Sequence, residues 1–199
     1  MVVIEKNRKS AISRKTTETD IQLELNLDGA GQHLIDTGVP FLNHMLTLFS
    51  VHGFLDLSLR AEGDIDIDDH HTTEDIGIVL GQAIAQALGN KGGISRYASV
   101  YLPMDEALVR IVIDLSNRPY LHYNAPVIEQ KLGTFDSCLV KEFFRAVSQQ
   151  AGMTLHIDMI HGENGHHIVE AIFKGFGRAL SLAIEPLGTD GALSSKGCL

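Results

Sequence analysis

Tryptophan is absent from this chain of 199 residues, and cysteine is nearly absent, with only two thiols, Cys138 and Cys198. Two cysteines in these places provide neither a disulfide framework nor the paired motifs of a zinc ribbon. A reducing compartment is therefore favoured. No apolar run reaches the roughly 18 residues of a membrane helix, and the apolar stretch at residues 1–4 is too short for a signal peptide. We expect a cytoplasmic protein with no membrane partner.

Basic residues are also few. Sixteen Lys and Arg stand against 25 Asp and Glu, which gives a formal net charge of -9. A nucleic acid needs a basic face on its partner, so we expect no nucleic-acid partner. Apolar residues make up 44% of the chain and charged residues 21%, a balance typical of globular proteins. The residue type in excess is histidine, with ten copies.

Four of these histidines belong to two copies of one motif, H-H-x-x-E. The first copy runs from His70 to Glu74 and the second from His166 to Glu170, 96 residues later. Each copy opens a segment with helical periodicity, and each follows an amphipathic segment and an alternating segment at similar distances. The simplest interpretation is one strand-and-helix unit that occurs twice.

The breaker cluster at residues 89–93 gives the boundary between the two copies. We therefore expect a first half at 1–90, a second half at 91–187 and a Gly/Ser-rich tail at 188–199. Alternation of apolar and polar residues predicts strands at 21–27 and 55–59, and residues 109–115 are predicted to form a strand of mixed burial. Strands combined with amphipathic helices predict an α+β fold with helices packed on sheets.

Each of the two helices that begin with an H-H-x-x-E motif carries a histidine and a glutamate on one face. Because residues i and i+4 of a helix are neighbours, His70 with Glu74, and His166 with Glu170, can each bind one metal ion. A single motif of this kind is usually a polar helix start. Two copies at matching positions of a repeat predict metal sites.

The repeat also predicts the remaining ligands. His44 lies in an amphipathic segment of the first half, and Glu142 occupies a similar place in the second. Two symmetric sites follow, one with His44, His71, His166 and Glu170, and the other with Glu142, His167, His70 and Glu74. The two repeats could meet within one chain or across a subunit interface. Imidazole and carboxylate ligands without thiolate favour Mn²⁺, with zinc as the alternative.

Several motifs, in this order, resemble those of the imidazoleglycerol-phosphate dehydratase family of histidine biosynthesis. They lie at residues 38–45, 70–75, 103–107, 166–170, 173–174 and 194–197. The resemblance spans about residues 14 to 196. It implies a βαββα-type repeat fused to itself, with helices packed on four-stranded sheets. It also implies two Mn²⁺ per subunit and a homo-oligomer of 24 subunits with active sites at the interfaces.

The implied activity is a hydro-lyase that converts imidazole glycerol phosphate to imidazole acetol phosphate and water. Metals at the ring nitrogens would stabilise an imidazolate, and a carboxylate would move protons between the carbon and the leaving hydroxyl. The family's N-terminal motif makes Glu18 that carboxylate and a substrate-binding residue, beside the catalytic metal ligands Glu74 and Glu170. The phosphate ligands that carry over are Arg96, Arg118, Lys174, Ser195 and Lys196, with the tail closing over the phosphate.

The chain departs from the family pattern at two positions. Glu142 stands where many relatives have histidine, although a carboxylate can still bind Mn²⁺. Asn117 stands where glycine is common, just before Arg118. Two other function classes also fit the residues. A binuclear metallohydrolase, such as a phosphoesterase, would release phosphate from simple esters, and a metal-storage assembly would need neither the arginines nor Glu18.

Overall fold

The computed structural model describes residues 8–188 and 191–195. Four α-helices run over α1 Pro40–Gly53, α2 His70–Leu88, α3 Leu139–Ala151 and α4 Gly165–Ala183. The first half contributes the strands β1 Lys9–Lys15, β2 Thr19–Asn26, β3 His33–Asp36 and β4 Asp56–Gly63. The second half contributes β5 Tyr97–Met104, β6 Ala107–Asp114, β7 Tyr120–Asn124, the short hairpin of β8 Lys131–Leu132 and β9 Phe135–Asp136, and β10 Thr154–His161.

The two halves build equivalent four-stranded sheets. The strand order is β1-β2-β4-β3 in the first sheet and β5-β6-β10-β7 in the second. In each sheet the first three strands are antiparallel and the last is parallel to its neighbour. The α+β class and the two-repeat architecture are therefore confirmed. Apart from the β8–β9 hairpin, the order of elements within each half is β-β-β-α-β-α, which differs from the βαββα order that the resemblance implies.

One face of each sheet is buried beneath helices, as the alternation along the strands predicts. Ile21, Leu23 and Leu25 of β2 are at most 2% exposed, and the residues between them face outward. Helix α2 packs on the first sheet and α4 on the second. Strand β1 also alternates in burial, but its inward positions are Ser10, Ile12 and Arg14, so its hydrophobic periodicity is weak in the sequence.

The helices pair across the two halves, α1 with α4 and α2 with α3. Glycines make this approach close. A Cβ atom on Gly177 of α4 would lie 2.4 Å from the carbonyl oxygen of Phe49 in α1, and one on Gly77 of α2 would lie 2.7 Å from that of Phe143 in α3. Side chains at these positions would force the helices apart. The close pairing of α1 with α4 brings His44 next to the second H-H-x-x-E motif.

The linker between the halves is fixed by a buried lysine. Lys91 is 3% exposed, and its ammonium group donates to the side-chain oxygen of Asn117 at 2.5 Å and to the carbonyl oxygen of Ala151 at 3.0 Å. Asn117 has a φ of 56°, a left-handed conformation that asparagine tolerates better than most residues. The departure from glycine at this position is thus accommodated, and it adds a hydrogen bond. Among the described residues, no helix is long and apolar enough to cross a membrane.

Candidate metal and substrate site

Three side chains from α1 and α4 form a compact group. The Nε2 atom of His44 lies 3.8 Å from Oε1 of Glu170, and the Nε2 atom of His166 lies 3.6 Å from Oε2 of the same carboxylate. Among the described residues, these three are the only set of His, Cys, Asp or Glu that places its ligand atoms within 4.8 Å of one another. Two imidazoles and a carboxylate suit Mn²⁺, Zn²⁺ or Fe²⁺.

Local structure holds this group in place. The side chain of Asn164 caps α4 by accepting from the backbone N–H of His166 at 2.9 Å. Glu170 is only 7% exposed. The ring of Phe41 meets that of His166 edge-on, with centroids 5.4 Å apart, and stacks on Phe135 from the β8–β9 hairpin. The equivalent segment of the first half, between β3 and α1, has no hairpin.

The second predicted set is only partly assembled within one chain. Nε2 of His70 lies 3.6 Å from Oε2 of Glu74 on α2. Glu142 instead pairs with Arg145 one turn along α3, with Oε2 and Nη1 2.6 Å apart. Helices α2 and α3 are packed together, but Glu142 does not join His70 and Glu74 in a compact group within the part of the chain that the structure describes.

The second histidine of each motif points away from its neighbour toward other carboxylates. Nδ1 of His71 lies 2.9 Å from Oδ2 of Asp64, and its Nε2 lies 3.9 Å from Oε1 of Glu18. Nδ1 of His167 lies 2.7 Å from Oε2 of Glu106. Neither histidine joins the group of ligand atoms around Glu170, so the two complete four-ligand sets remain a prediction.

These contacts shift the pKa values of both histidines and of Glu106. The hydrogen bond to Asp64 is the largest influence raising the pKa of His71, and the hydrogen bond to Glu106 does the same for His167. In return, the hydrogen bond with His167 lowers the pKa of Glu106 to about 2, with help from the backbone N–H of Asn164. Glu106 is therefore ionised and acts as a hydrogen-bond acceptor at neutral pH.

Glu18 lies in the β1–β2 turn, which is fastened to α2. Thr19 donates to Oδ2 of Asp75 at 2.6 Å, and Arg14 forms an ion pair with the same oxygen. Asp75 is 8% exposed, whereas half of the Glu18 side chain is exposed, at 51%. The turn is thus rigidly anchored, while its carboxylate faces solvent beside His71.

The predicted phosphate ligands divide into two groups. Arg96 makes two hydrogen bonds to Asp114, at 2.8 and 3.1 Å, and its Nη1 donates to the carbonyl oxygen of Leu193 in the tail. Arg118 reaches the same carboxylate at 4.0 Å and is 70% exposed. This arginine pair and the tail therefore share one end of the second half. Ser195 is exposed, and Lys196 lies outside the described residues.

Lys174 lies elsewhere, against the group of His44, His166 and Glu170. Its Nζ is 2.9 Å from Oε1 of Glu170 and 3.3 Å from the sulfur of Met104. Sequence reasoning missed Asp64, Glu106 and Met104. The last two belong to the motif at residues 103–107 that carried the resemblance. A comparison of the two hairpin turns could have singled out Glu106, because it occupies the place that Glu18 has in the first half.

The model of the imidazoleglycerol-phosphate dehydratase family matches residues 37–180. The dehydratase of Lachnoclostridium phytofermentans is 58% identical over 193 residues, covering 96% of this chain and 98% of that protein. That of Acetivibrio thermocellus is 55% identical over 194 residues, covering 97% and 100%. The Staphylococcus aureus dehydratase structure gives a TM-score of 0.82 at 48% identity, covering 89% of this chain and 99% of that chain. The Pyrococcus furiosus structure gives 0.82 at 38%, covering 94% and 100%.

Proposed function

Because the chain belongs to the imidazoleglycerol-phosphate dehydratase family, we propose that it catalyses the family's dehydration at metal sites completed between subunits of a homo-oligomer. Family membership makes the protein a hydro-lyase of histidine biosynthesis that acts on a small-molecule substrate. The metal, the ligand sets, the subunit number of 24 and the cytoplasmic location are parts of the proposal.

The length of α4 supports a site shared between chains. Glu170 lies near the start of this helix, whereas the backbone N–H of Arg96 donates to the carbonyl oxygen of Ala183 at its end, at 2.7 Å. At a rise of about 1.5 Å per residue, these two points are roughly 20 Å apart. An imidazole ring joined to a phosphate by a short chain does not reach both. The metal end of one subunit would therefore face the arginine end of another.

The ligand sets fit the same arrangement. His71 would complete the group of His44, His166 and Glu170 from a neighbouring subunit. His167 would likewise join His70 and Glu74, with Glu142 as the fourth ligand. In support, the side chains of His71 and His167 are 38% and 27% exposed in the single chain. When bound at the ring nitrogens, two Mn²⁺ would act as Lewis acids that help the ring to carry negative charge.

The chain's own residues supply the proton transfer and the phosphate binding. Because Glu18 lies 3.9 Å from Nε2 of His71, a substrate ring beside His71 would also lie beside Glu18. Its exposed carboxylate would take the proton from carbon and return it to the departing hydroxyl. Arg96 and Arg118 would bind the phosphate, Arg96 with its forked guanidinium. Ser195 and Lys196 would complete that site from the same chain, and Lys174, beside Glu170, would reach it from the subunit that supplies the metal end.

The proposal is tested by assaying dehydration of imidazole glycerol phosphate after removal of metal with a chelator and after addition of Mn²⁺ or Zn²⁺. We expect activity to vanish on chelation and to return with Mn²⁺. Release of phosphate from simple esters, without dehydration, would favour the metallohydrolase instead. Absence of both activities in folded, Mn²⁺-loaded protein would favour metal storage.

Mixed assembly tests whether the site is shared. Glu18→Gln and Glu170→Gln should each be inactive, because each removes one side of the site. If the two glutamates act from different subunits, unfolding and refolding the two variants together will create some sites with both residues intact, and activity will return. Activity no higher than the sum of the separate variants would place both glutamates in one chain.

A further inference from the structure

His71 and His167 each use Nδ1 to contact a carboxylate. The acceptor is Oδ2 of Asp64 at 2.9 Å for His71, and Oε2 of Glu106 at 2.7 Å for His167. An ionised carboxylate can only accept hydrogen bonds, so each ring must carry a proton on Nδ1. In a neutral ring the lone pair is then on Nε2, the atom left to bind a metal.

The two carboxylates occupy different places in the repeat. Glu106 lies in the turn between β5 and β6, whereas Asp64 directly follows β4. The turn equivalent to that of Glu106 is the β1–β2 turn, and it carries Glu18. Glu18 faces Nε2 of His71 and not Nδ1. The second half thus uses its turn carboxylate to hold the histidine, and the first half uses Asp64 for the same task.

The carboxylate of Glu106 and the backbone of Asp64 are themselves held in place. Oε1 of Glu106 accepts from the backbone N–H of Asn164 at 2.8 Å and from that of Glu163 at 3.3 Å, just before α4. The backbone N–H of Asp64 donates to the carbonyl oxygen of Glu18 at 3.1 Å, which joins Asp64 to the β1–β2 turn. His167 is therefore oriented by a carboxylate that two backbone N–H groups hold, and His71 by a carboxylate whose backbone is anchored to the β1–β2 turn.

We infer that Asp64 and Glu106 are positioning residues that hold His71 and His167 with Nε2 directed to the metals, and that Asp64 thereby leaves Glu18 available for proton transfer. The inference rests on the proposed function, because it assigns these histidines to metal binding. It adds that the two halves use their equivalent turns for different functions. Equivalent turns carry a carboxylate that orients a ligand in one half and a carboxylate that moves protons in the other.

The variant Glu106→Gln distinguishes a role in orienting the ring of His167 from a role in supporting the fold. The amide oxygen of glutamine can still accept from the N–H of Asn164, and its NH₂ group then faces Nδ1 of His167. That arrangement requires Nδ1 to accept and moves the ring proton to Nε2. We expect thermal stability of the metal-free protein close to that of the wild type, and Mn²⁺ affinity at one of the two sites lower by on the order of 10–100-fold.

Free Mn²⁺, measured by electron paramagnetic resonance during titration, gives both dissociation constants. Glu163→Gln is the matched control: it removes the same charge at an exposed neighbouring position and should bind Mn²⁺ normally. Asp64→Asn should weaken Mn²⁺ binding through His71 and provides an independent test if Glu106→Gln does not fold.

The outcomes separate the two proposals. Wild-type Mn²⁺ affinity in both folded variants would overturn the positioning role and leave the proposed function intact. A loss of affinity matched by an equal loss of thermal stability would also overturn it, because structural support alone would then explain the result. Failure of the wild type to bind Mn²⁺ would overturn the proposed metal sites and the positioning role together.

Discussion

The ammonium group of Lys174 lies 2.9 Å from Oε1 of Glu170, one turn earlier on α4. Both side chains are largely buried, at 15% and 10% exposure. The imidazoles of His44 and His166 approach the same carboxylate. A cation thus contacts the carboxylate that the proposed metal site requires, and like charges at such short range repel each other strongly where water is partly excluded.

Replacing Lys174 with methionine should therefore strengthen metal binding and weaken catalysis. Lys174→Met keeps an unbranched side chain but removes the charge. We expect Mn²⁺ affinity to rise by on the order of tenfold, about 1.4 kcal/mol, and turnover to fall because a phosphate ligand is lost. Mn²⁺ titration and steady-state kinetics measure the two effects. Lys141→Met, on the exposed face of α3, is the control, and weaker Mn²⁺ binding by Lys174→Met would contradict the repulsion.

Glu18→Gln should change catalysis alone. The β1–β2 turn is anchored through Thr19 and Asp75, so the substitution should not disturb it. We expect turnover to fall by about 10²–10⁴-fold, the usual contribution of a positioned acid or base, with unchanged Mn²⁺ content. Glu24→Gln, exposed on β2, should be fully active. Unchanged turnover in Glu18→Gln would remove this residue from the mechanism.

The fold could be predicted from the sequence wherever apolar and polar residues recur with the period of a strand or a helix. Alternation along β2 and β4, and helical spacing in α2 and α4, follow directly from burial of one face. The duplicated H-H-x-x-E motif indicated the repeat. The short strand β3 and the β8–β9 hairpin could not be predicted, because two to four residues show too little periodicity to identify a strand.

The site could be predicted only in part. Motif spacing found His166 with Glu170, and the repeat added His44, which the packing of α1 on α4 brings alongside. Asp64 and Glu106 were not predicted, because their contacts depend on tertiary packing. The end of β4 lies beside the start of α2, and the β5–β6 turn lies beside the start of α4. Such contacts arise from tertiary packing, which leaves no periodic signal in the sequence.

Asp56 should give a pH-dependent contribution to stability. Its Oδ1 accepts from the backbone N–H groups of Ala30 and Gln32, at 2.8 and 3.0 Å, and its Oδ2 accepts from Asn26 at 3.0 Å. Partial burial acts to raise its pKa, but these hydrogen bonds outweigh burial and lower the pKa below the ordinary 3.8. A lowered pKa in the folded state stabilises the protein above pH 3.8, and this stabilisation is lost as the pH falls through the folded-state value.

We therefore expect Asp56→Ala to lower the free energy of unfolding by about 1–3 kcal/mol at neutral pH. The difference from the wild type should shrink steadily below about pH 4. Urea denaturation of the metal-free proteins at several pH values measures it. Ser58→Ala, exposed on the same strand, should show little change at any pH, and a difference for Asp56→Ala that does not vary with pH would contradict the role of its charge.

Truncation after Ala192 should affect the substrate and not the metals. It removes Leu193, whose carbonyl oxygen accepts from Arg96 at 2.7 Å, together with Ser195 and Lys196, the proposed phosphate ligands. We expect a raised KM for imidazole glycerol phosphate and unchanged Mn²⁺ content. Leu193→Ala, which retains the backbone, is the control and should have a nearly normal KM. Normal saturation behaviour in the truncated protein would exclude the tail from phosphate binding.

Substitution of Glu142 provides a test of the second metal site. Its carboxylate contacts Arg145 at 2.6 Å, yet 25% of its side chain is exposed, so it can turn toward a metal on the adjacent subunit surface. Glu142→Ala should weaken one of two Mn²⁺ by on the order of tenfold or more, and Glu142→His should restore it because imidazole is an equivalent ligand. Arg145→Met should not weaken binding, since it only releases the carboxylate. If Glu142→Ala binds both ions as the wild type does, Glu142 is not a ligand of the second site. Its role would then be limited to the ion pair with Arg145.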